Sequence, residues 1–299
     1  MGEVWLAHHE LQRAAVAVKV LSPSIALEAR ALRAFRREVR AAAALDHPGI
    51  VSVFDYGEVD APAELASDGR LVAGSPYLVM ELASHGSLVS HCGQLDWSVC
   101  RGLLLALLDA LAHAHARGVI HRDLKPGNVL LSQDSSGSVA LKLSDFGLAH
   151  ALGSGSGERL VAGTPSCMAP EQFRASWRDF GPWTDLYALG VLAWELVSGR
   201  LPWQAQDLEG WRQQHLVAEL PRFEPACPVP EGFEGWLRRL LHKRTWDRFQ
   251  RAADAAWALT RLEGLDEQAS ATPRRSALAP ATFMVAASRG GLSALTWME

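Results

Sequence analysis

The chain has little that would tie it to a membrane, a metal or a nucleic acid. Its formal net charge is −4 over 299 residues, too small to hold nucleic acid or an anionic lipid surface by electrostatics. Only four cysteines occur, Cys92, Cys100, Cys167 and Cys227. None form a CxxC pair or fall at zinc-finger spacing, so they read as free thiols in a reducing, cytoplasmic compartment. No basic stretch followed by an apolar run opens the chain, so no signal peptide is expected. No run reaches the roughly 18 consecutive apolar residues of a bilayer span. The closest, Leu103 to Ala116, contains Asp109, His113 and His115 and reads as a buried helix. What remains is 48% hydrophobic and 21% charged, the balance of a globular chain. The 11 tryptophans are scattered and read as core packing.

Hydrophobic periodicity divides the chain. In residues 1–20, Val4, Leu6, Val16, Val18 and Val20 alternate with other residues, which is strand patterning. Residues 26–45 place Leu27, Leu32, Phe35 and Val39 near helical spacing. Residues 50–58 and 76–82 read as further strands, joined by a polar, Ala/Gly-rich connection. Beyond residue 84 the pattern turns helical, with Asp96 as the N-cap of a long apolar helix ending near Ala116. Short strands are expected at Val129–Leu131 and Leu141–Leu143, a Gly/Ser loop over 151–165, and helices over 185–198, 232–241 and 251–263. The last residues, rich in Ala, Ser and Thr with Pro273 and Pro280, read as a linker or disordered tail.

Three blocks carry chemistry. In His121-Arg122-Asp123-Leu124-Lys125-Pro126-Gly127-Asn128, a carboxylate can accept the proton of an attacking hydroxyl. The lysine two residues on can neutralise a moving phosphoryl group, and the amide five residues on can ligate Mg²⁺. Asp145-Phe146-Gly147 puts a hard oxygen ligand after a short strand. Val16-Ala17-Val18-Lys19 sets an ammonium on an apolar strand, where it needs an anionic partner; Glu38 on the following helix, with nucleotide phosphates, would supply it.

Taken in order, these blocks resemble a Hanks-type (eukaryotic-like) protein kinase domain of the bacterial serine/threonine branch. The resemblance covers roughly residues 1–263 and implies an α+β, two-lobed fold: a small antiparallel β lobe with one helix over 1–82, a larger helical lobe over 83–263, and a linker or tail over 264–299. It implies ATP-dependent transfer of the γ-phosphate to Ser/Thr hydroxyls of proteins, in signalling. Asp123, Lys125, Lys19 and Glu38 take the catalytic positions. Asn128 and Asp145 take the metal positions, with ATP and Mg²⁺ as cofactors. Around the nucleotide, the resemblance places Gly2 and Val4 in the glycine-rich loop, Ala17 above the adenine and Leu130 below it. It makes Met80 the gatekeeper and gives the adenine edge to the backbones of Glu81 and Ala83. Ala169-Pro170-Glu171 closes the activation segment, Asp185 braces the catalytic loop, and Arg248 pairs with Glu171. Lys125 and Gly163-Thr164-Pro165 favour Ser/Thr over Tyr acceptors, with Thr164 near Asp123 and Lys125. The resemblance also implies that Arg122 receives a phosphate placed on Ser154 or Ser156 by autophosphorylation. The Ala-Pro-Glu and Gly-Thr-Pro elements separate the chain from the small-molecule phosphotransferases.

The resemblance departs at two places. Gly2 and Val4 match the end of the glycine-rich pattern, while its first two glycines and the preceding strand have no counterpart in this sequence. That implies a bare sheet edge and a weaker nucleotide lid, and it raises the alternative of a pseudokinase or binding module. Cys167 stands where relatives often carry an aromatic residue, which bears on substrate docking.

Overall fold

A computed structural model describes residues 2–9, 13–22, 29–133, 139–146, 163–262 and 295–297. Strands β1 (Glu3–His9), β2 (Ala14–Val20), β3 (Val53–Glu58) and β4 (Pro76–Glu81) form one antiparallel sheet in the order β3-β4-β2-β1. Register puts Val4 opposite Lys19, and Lys19 opposite Leu78. Because side chains alternate along a strand, Ala17, Leu78 and Met80 share one face. There Phe35 and Val39 of helix α1 (Ala29–Ala43), one turn apart, pack against them.

The opposite face holds Trp5, Ala7, Val16, Val18, Val20 and Val79, and it is covered too. Its cover comes from the polar, Ala/Gly-rich connection between β3 and β4, which contains helix α2 (Ala61–Ala66). Asp60 caps this helix by accepting a 2.8 Å bond from the Ala63 N–H, and Pro62 occupies the first turn, where its missing N–H is not needed. Ala63, Val59 and Leu71 then bury against Trp5.

The larger lobe is built around two apolar helices, α3 (Trp97–Ala116) and, further along, one at Pro182–Ser198. Helix α3 is long and apolar enough to cross a bilayer by length and composition alone, yet Leu104, Leu107, Leu108 and Leu111 are wholly buried inside this lobe. Asp96 stands at its N-cap position, although the side chain makes no capping bond. A two-stranded hairpin follows, β5 (Val129–Gln133) with β6 (Val139–Leu143). Helices α4 (Pro170–Phe173), α5 (Pro182–Ser198), α6 (Leu208–Leu216), α7 (Phe233–Leu240) and α8 (Ala252–Thr260) complete the lobe. Gly199 ends α5 at φ 72°, and its N–H returns 2.8 Å to the Glu195 carbonyl.

At the outer edge of β1 the expectation of a bare edge is corrected over Ala7–His9. Strand β7 (Leu295–Trp297) pairs there, antiparallel, with Thr296 opposite His8. Tail residues 264–294, and Gly147, Ser154 and Ser156 of the expected activation segment, lie outside the described residues.

Candidate active site

The two lobes enclose a cleft of about 570 Å³, a size suited to a small organic ligand. Val4 and Leu6 of β1, Ala17 and Lys19 of β2, and Met80, Glu81 and Ala83 at the end of β4 line its upper wall. Gly127, Leu130, Ser144 and Asp145 line the floor. The Glu81 N–H donates 2.9 Å to the Ser52 carbonyl, so its backbone has only a carbonyl to offer the cleft. No protein hydrogen bond engages the Ala83 backbone among the described residues. Gly2, expected at the nucleotide, is not part of this wall. It lies against β2, where an added Cβ would collide with the Val20 carbonyl oxygen, so the neighbouring backbone is what demands glycine.

Lys19 Nζ is 2.7 Å from Asp145 Oδ1 at the back of the cleft. Its expected partner, Glu38, is engaged elsewhere. Glu38 Oε1 stands 3.8 Å from Arg122 Nη1 and accepts a 3.2 Å bond from Arg37 Nη2. Glu38 is almost fully buried, and a buried carboxylate goes to whichever cation the helix presents to it. Here α1 presents it to the catalytic loop.

Asp123 collects four donors. Oδ1 accepts from the Thr164 N–H at 2.8 Å and from Thr164 Oγ1 at 2.9 Å. Oδ2 lies 3.0 Å from Lys125 Nζ and 3.2 Å from Asn128 Nδ2. Lys125 Nζ also donates 2.6 Å to Thr164 Oγ1, closing a triangle of carboxylate, ammonium and hydroxyl. Asn128 Nδ2 donates again, at 2.7 Å, to the Asp123 carbonyl. Its Oδ1 is left without a protein partner among the described residues. The Ser144 N–H, next to Asp145, donates 2.9 Å to the Asn128 carbonyl, so Asp145 and Asn128 come from adjoining segments and supply a carboxylate and an amide oxygen of the kind that suits Mg²⁺ when phosphate oxygens complete the shell. Among the described residues no cluster of three His, Cys, Asp or Glu could hold a metal by itself.

The loop carrying Asp123 is strained and pinned. Arg122 and Asp145 adopt φ of 67° and 64°, left-handed values that cost a side-chain-bearing residue. Asp185 at the start of α5 fixes the first of them. Its carboxylate accepts 2.8 Å bonds from the Arg122 N–H, the His121 N–H and His115 Nε2. Burial alone would raise the Asp185 pKa, but the His115 hydrogen bond and the Arg122 N–H hold it below the usual value. His121 donates from Nε2 to the Ser144 carbonyl at 2.8 Å and accepts the Asp123 N–H at Nδ1, which fixes its proton on Nε2. Its ring packs on Phe146 with centroids 4.6 Å apart. His115 and Ser144 were not singled out from the sequence: each acts through a partner remote along the chain, so no local pattern marks it.

Below the loop, Glu171 and Arg248 form a two-pronged pair with N···O distances of 2.9 and 3.0 Å. Arg248 also donates to the carbonyls of His242, Trp183 and Lys243, so all five of its N–H groups are used. Cys167, just after Thr164, is buried, and burial pushes its thiol up to about 12, so it is no nucleophile.

Comparison with known proteins agrees with this geometry. The family model described as "Protein kinase domain" matches residues 1–256. The chain is 33% identical to the serine/threonine-protein kinase pkn3 of Myxococcus xanthus, over 93% of this chain and 50% of that protein. It is 35% identical to the serine/threonine-protein kinase PknA of Mycobacterium tuberculosis, over 81% of this chain and 52% of that protein. The chain thus spans about half the length of these relatives. Among solved structures, the Mycobacterium tuberculosis PknI kinase domain superposes with a TM-score of 0.65 at 29% identity, covering 87% of this chain and 90% of that one.

Proposed function

This chain belongs to the protein kinase domain family and has its two-lobed fold, and from that premise we propose that it is a serine/threonine protein kinase acting on other proteins. The observation that carries the reading is the pairing of Lys19 with Asp145 in the cleft and the cluster of Asp123, Lys125, Asn128 and Thr164 beside it, drawn from four separate stretches of chain. In the proposed reaction the acceptor hydroxyl oxygen bonds to the γ-phosphorus of ATP, the bond to the β-phosphate oxygen breaks, and the hydroxyl proton passes to the Asp123 carboxylate.

Lys125, already bonded to Thr164, neutralises charge on the transferred group, while Lys19 exchanges Asp145 for phosphate oxygens. Asn128 and Asp145 would hold Mg²⁺, which supplies charge neutralisation between the phosphates when bound. Leu130 and Ala17 would sandwich the adenine. The four free thiols fit a reducing, cytoplasmic setting.

Regulation by a phosphate on Ser154 or Ser156 is supported from the receiving side. Among the described residues, Arg122 Nε and Nη1 are buried without a hydrogen-bond acceptor, and such guanidinium donors suit a phosphate.

Transfer of labelled phosphate from ATP to a generic Ser/Thr acceptor protein tests the function, with Asp123→Asn as control. Label incorporated by the wild type and lost by at least about a hundredfold in the variant is the expected result. Absence of transfer by the wild type, with nucleotide still bound, would turn the reading toward a binding module.

A further inference from the structure

The strand that roofs the cleft is anchored on its far side. In β1 only Trp5 and Ala7 are buried, while Val4, on the cleft side, is 46% exposed. Side chains alternate along a strand, and register sets Trp5 opposite Val18 and Ala7 opposite Val16. Both buried anchors therefore lie on the outer face of the sheet. Val4 and Leu6, which face the cleft, add no buried side chain. Strand β7 meets β1 at Ala7–His9, so among the described residues Glu3–Leu6 pairs with β2 alone.

Residues 59–75 cover that outer face, and they hold their own shape. The Val59 N–H donates 2.9 Å to the Ser75 carbonyl, and the Gly74 N–H returns 2.8 Å to the Val59 carbonyl. Inside the loop, the buried Ser67 donates 2.9 Å from Oγ to the Glu64 carbonyl and accepts the Leu71 N–H at 2.9 Å. Leu71 is thus placed by its own loop. It joins Val59 and Ala63 in one buried cluster with Trp5. The Arg70 guanidinium lies over the Trp5 ring, 4.5 Å from its centre, a cation–π contact. Trp5 also borders the cleft, so the loop on one face and the nucleotide site on the other share this residue.

We propose that residues 59–75 form a brace that sets nucleotide affinity from behind the sheet, with Leu71 and Arg70 as positioning residues that act through Trp5 on the Val4–Leu6 stretch over the cleft. This rests on the kinase reading above and names a determinant of ATP affinity within it. A roof held in place before the nucleotide arrives spares the cost of ordering it on binding.

The test uses the full chain. Leu71→Ala opens the cluster, Leu71→Met keeps its volume, Arg70→Gln removes the cation over Trp5, and Leu65→Ser alters an 80% exposed residue of the same loop. If the loss of Leu71 leaves β1 in place about a tenth of the time, apparent ATP affinity falls about tenfold. The KM for ATP should accordingly rise about tenfold in Leu71→Ala and about threefold in Arg70→Gln, and stay near the wild-type value in Leu71→Met and Leu65→Ser. The kcat at saturating ATP and the KM for an acceptor peptide should not change, because Asp123, Lys125 and Thr164 are bonded to one another within the larger lobe. Amide exchange should quicken across Val4–Ala7 in Leu71→Ala and stay as it was in α3. An unchanged ATP KM in Leu71→Ala would overturn the proposal. So would ATP and peptide KM rising together with faster exchange through β3 and β4, which marks a merely structural role. Should the wild type bind ATP but transfer no phosphate, the kinase reading fails by itself, and the dissociation constants for ATP in the same variants decide for or against the brace. Should Leu71→Ala not fold, Arg70→Gln decides by the same readouts.

Discussion

The carboxylate of Glu38 stands 3.8 Å from the guanidinium of Arg122, while Lys19, the cation it was expected to meet, is held 2.7 Å from Asp145. One buried anion, Glu38, and one partly exposed anion, Asp145, are thus each paired with a cation, and the pairing is open to exchange. A phosphate on the activation segment would compete with Glu38 for Arg122 and free it for Lys19. Replacing Ser154 and Ser156 together by Ala should therefore slow phosphoryl transfer by roughly tenfold, the scale of one to three charge-assisted hydrogen bonds. In an Arg122→Gln background the same serine replacements should change nothing further. Additive losses in the fourfold set of rates would show that the serines and Arg122 act independently.

The Glu171–Arg248 pair is closed on every side, with Arg248 1% and Glu171 2% exposed. Removing one partner leaves the other charged and buried, which costs about 3–5 kcal/mol. Arg248→Met should lower the urea unfolding free energy of the larger lobe by that amount, with lost backbone carbonyl partners adding to it. A change under about 1 kcal/mol would place the pair among weak surface bridges.

How much of this was visible in the sequence depends on how local each feature is. The run from His121 to Asn128 carries its chemistry in eight adjacent residues, and the alternation of Val16, Val18 and Val20 fixes which β2 face meets Trp5. Helix α2 escaped because six residues are too few to show a period, although Asp60 and Pro62 were a legible start signal. The partner of Glu38 was not legible, because it depends on how α1 rotates against the catalytic loop. The bond from His115 to Asp185 joins residues 70 positions apart, and only the packing of α3 on α5 creates it. Strand β7 was hidden because three residues in an Ala/Ser/Thr-rich stretch carry no pattern.

Thr164 donates to Asp123 and accepts from Lys125, so its hydroxyl bonds both members of the Asp123–Lys125 pair and fixes their geometry. Thr164→Val keeps the shape and removes the oxygen. It should lower kcat for peptide phosphorylation by about tenfold, one hydrogen bond to a charged group, while Thr164→Ser keeps most activity. Equal activity in the two variants would remove Thr164 from the site.

Asp185 gives a signed pH dependence. Its folded-state pKa lies below the unfolded value of about 3.9. Its contribution to stability is therefore complete above that value and is lost as pH falls through the folded pKa. The wild type should lose stability below about pH 4, measured as the urea midpoint. Asp185→Asn should start less stable at pH 7, because its amide hydrogens would face the N–H groups of His121 or Arg122, and should lose less below pH 4. Parallel pH curves for the two proteins would dismiss Asp185 as the titrating group.

The pairing of β7 with β1 predicts an effect at the far end of the chain. β1 contributes Val4 and Leu6 to the nucleotide cleft on one side and takes Leu295–Trp297 along its outer edge on the other. About 30 residues separate β7 from Leu262, and a chain of that length can reach roughly 100 Å when extended, so the larger lobe places no strain on the pairing. A chain ending at Leu262 would leave the β1 edge with unpaired N–H and C=O groups, which water or another chain must satisfy. Amide exchange over Ala7–His9 should quicken in that truncated chain, while exchange in α3 and α5 stays as it was. Because β1 also forms the roof of the cleft, ATP affinity should fall by about two- to fivefold, the scale of a few tenths of a kcal/mol to one. Unaltered exchange at His8 would show that β7 lends the edge no stability in solution, and the ATP effect would then have no basis.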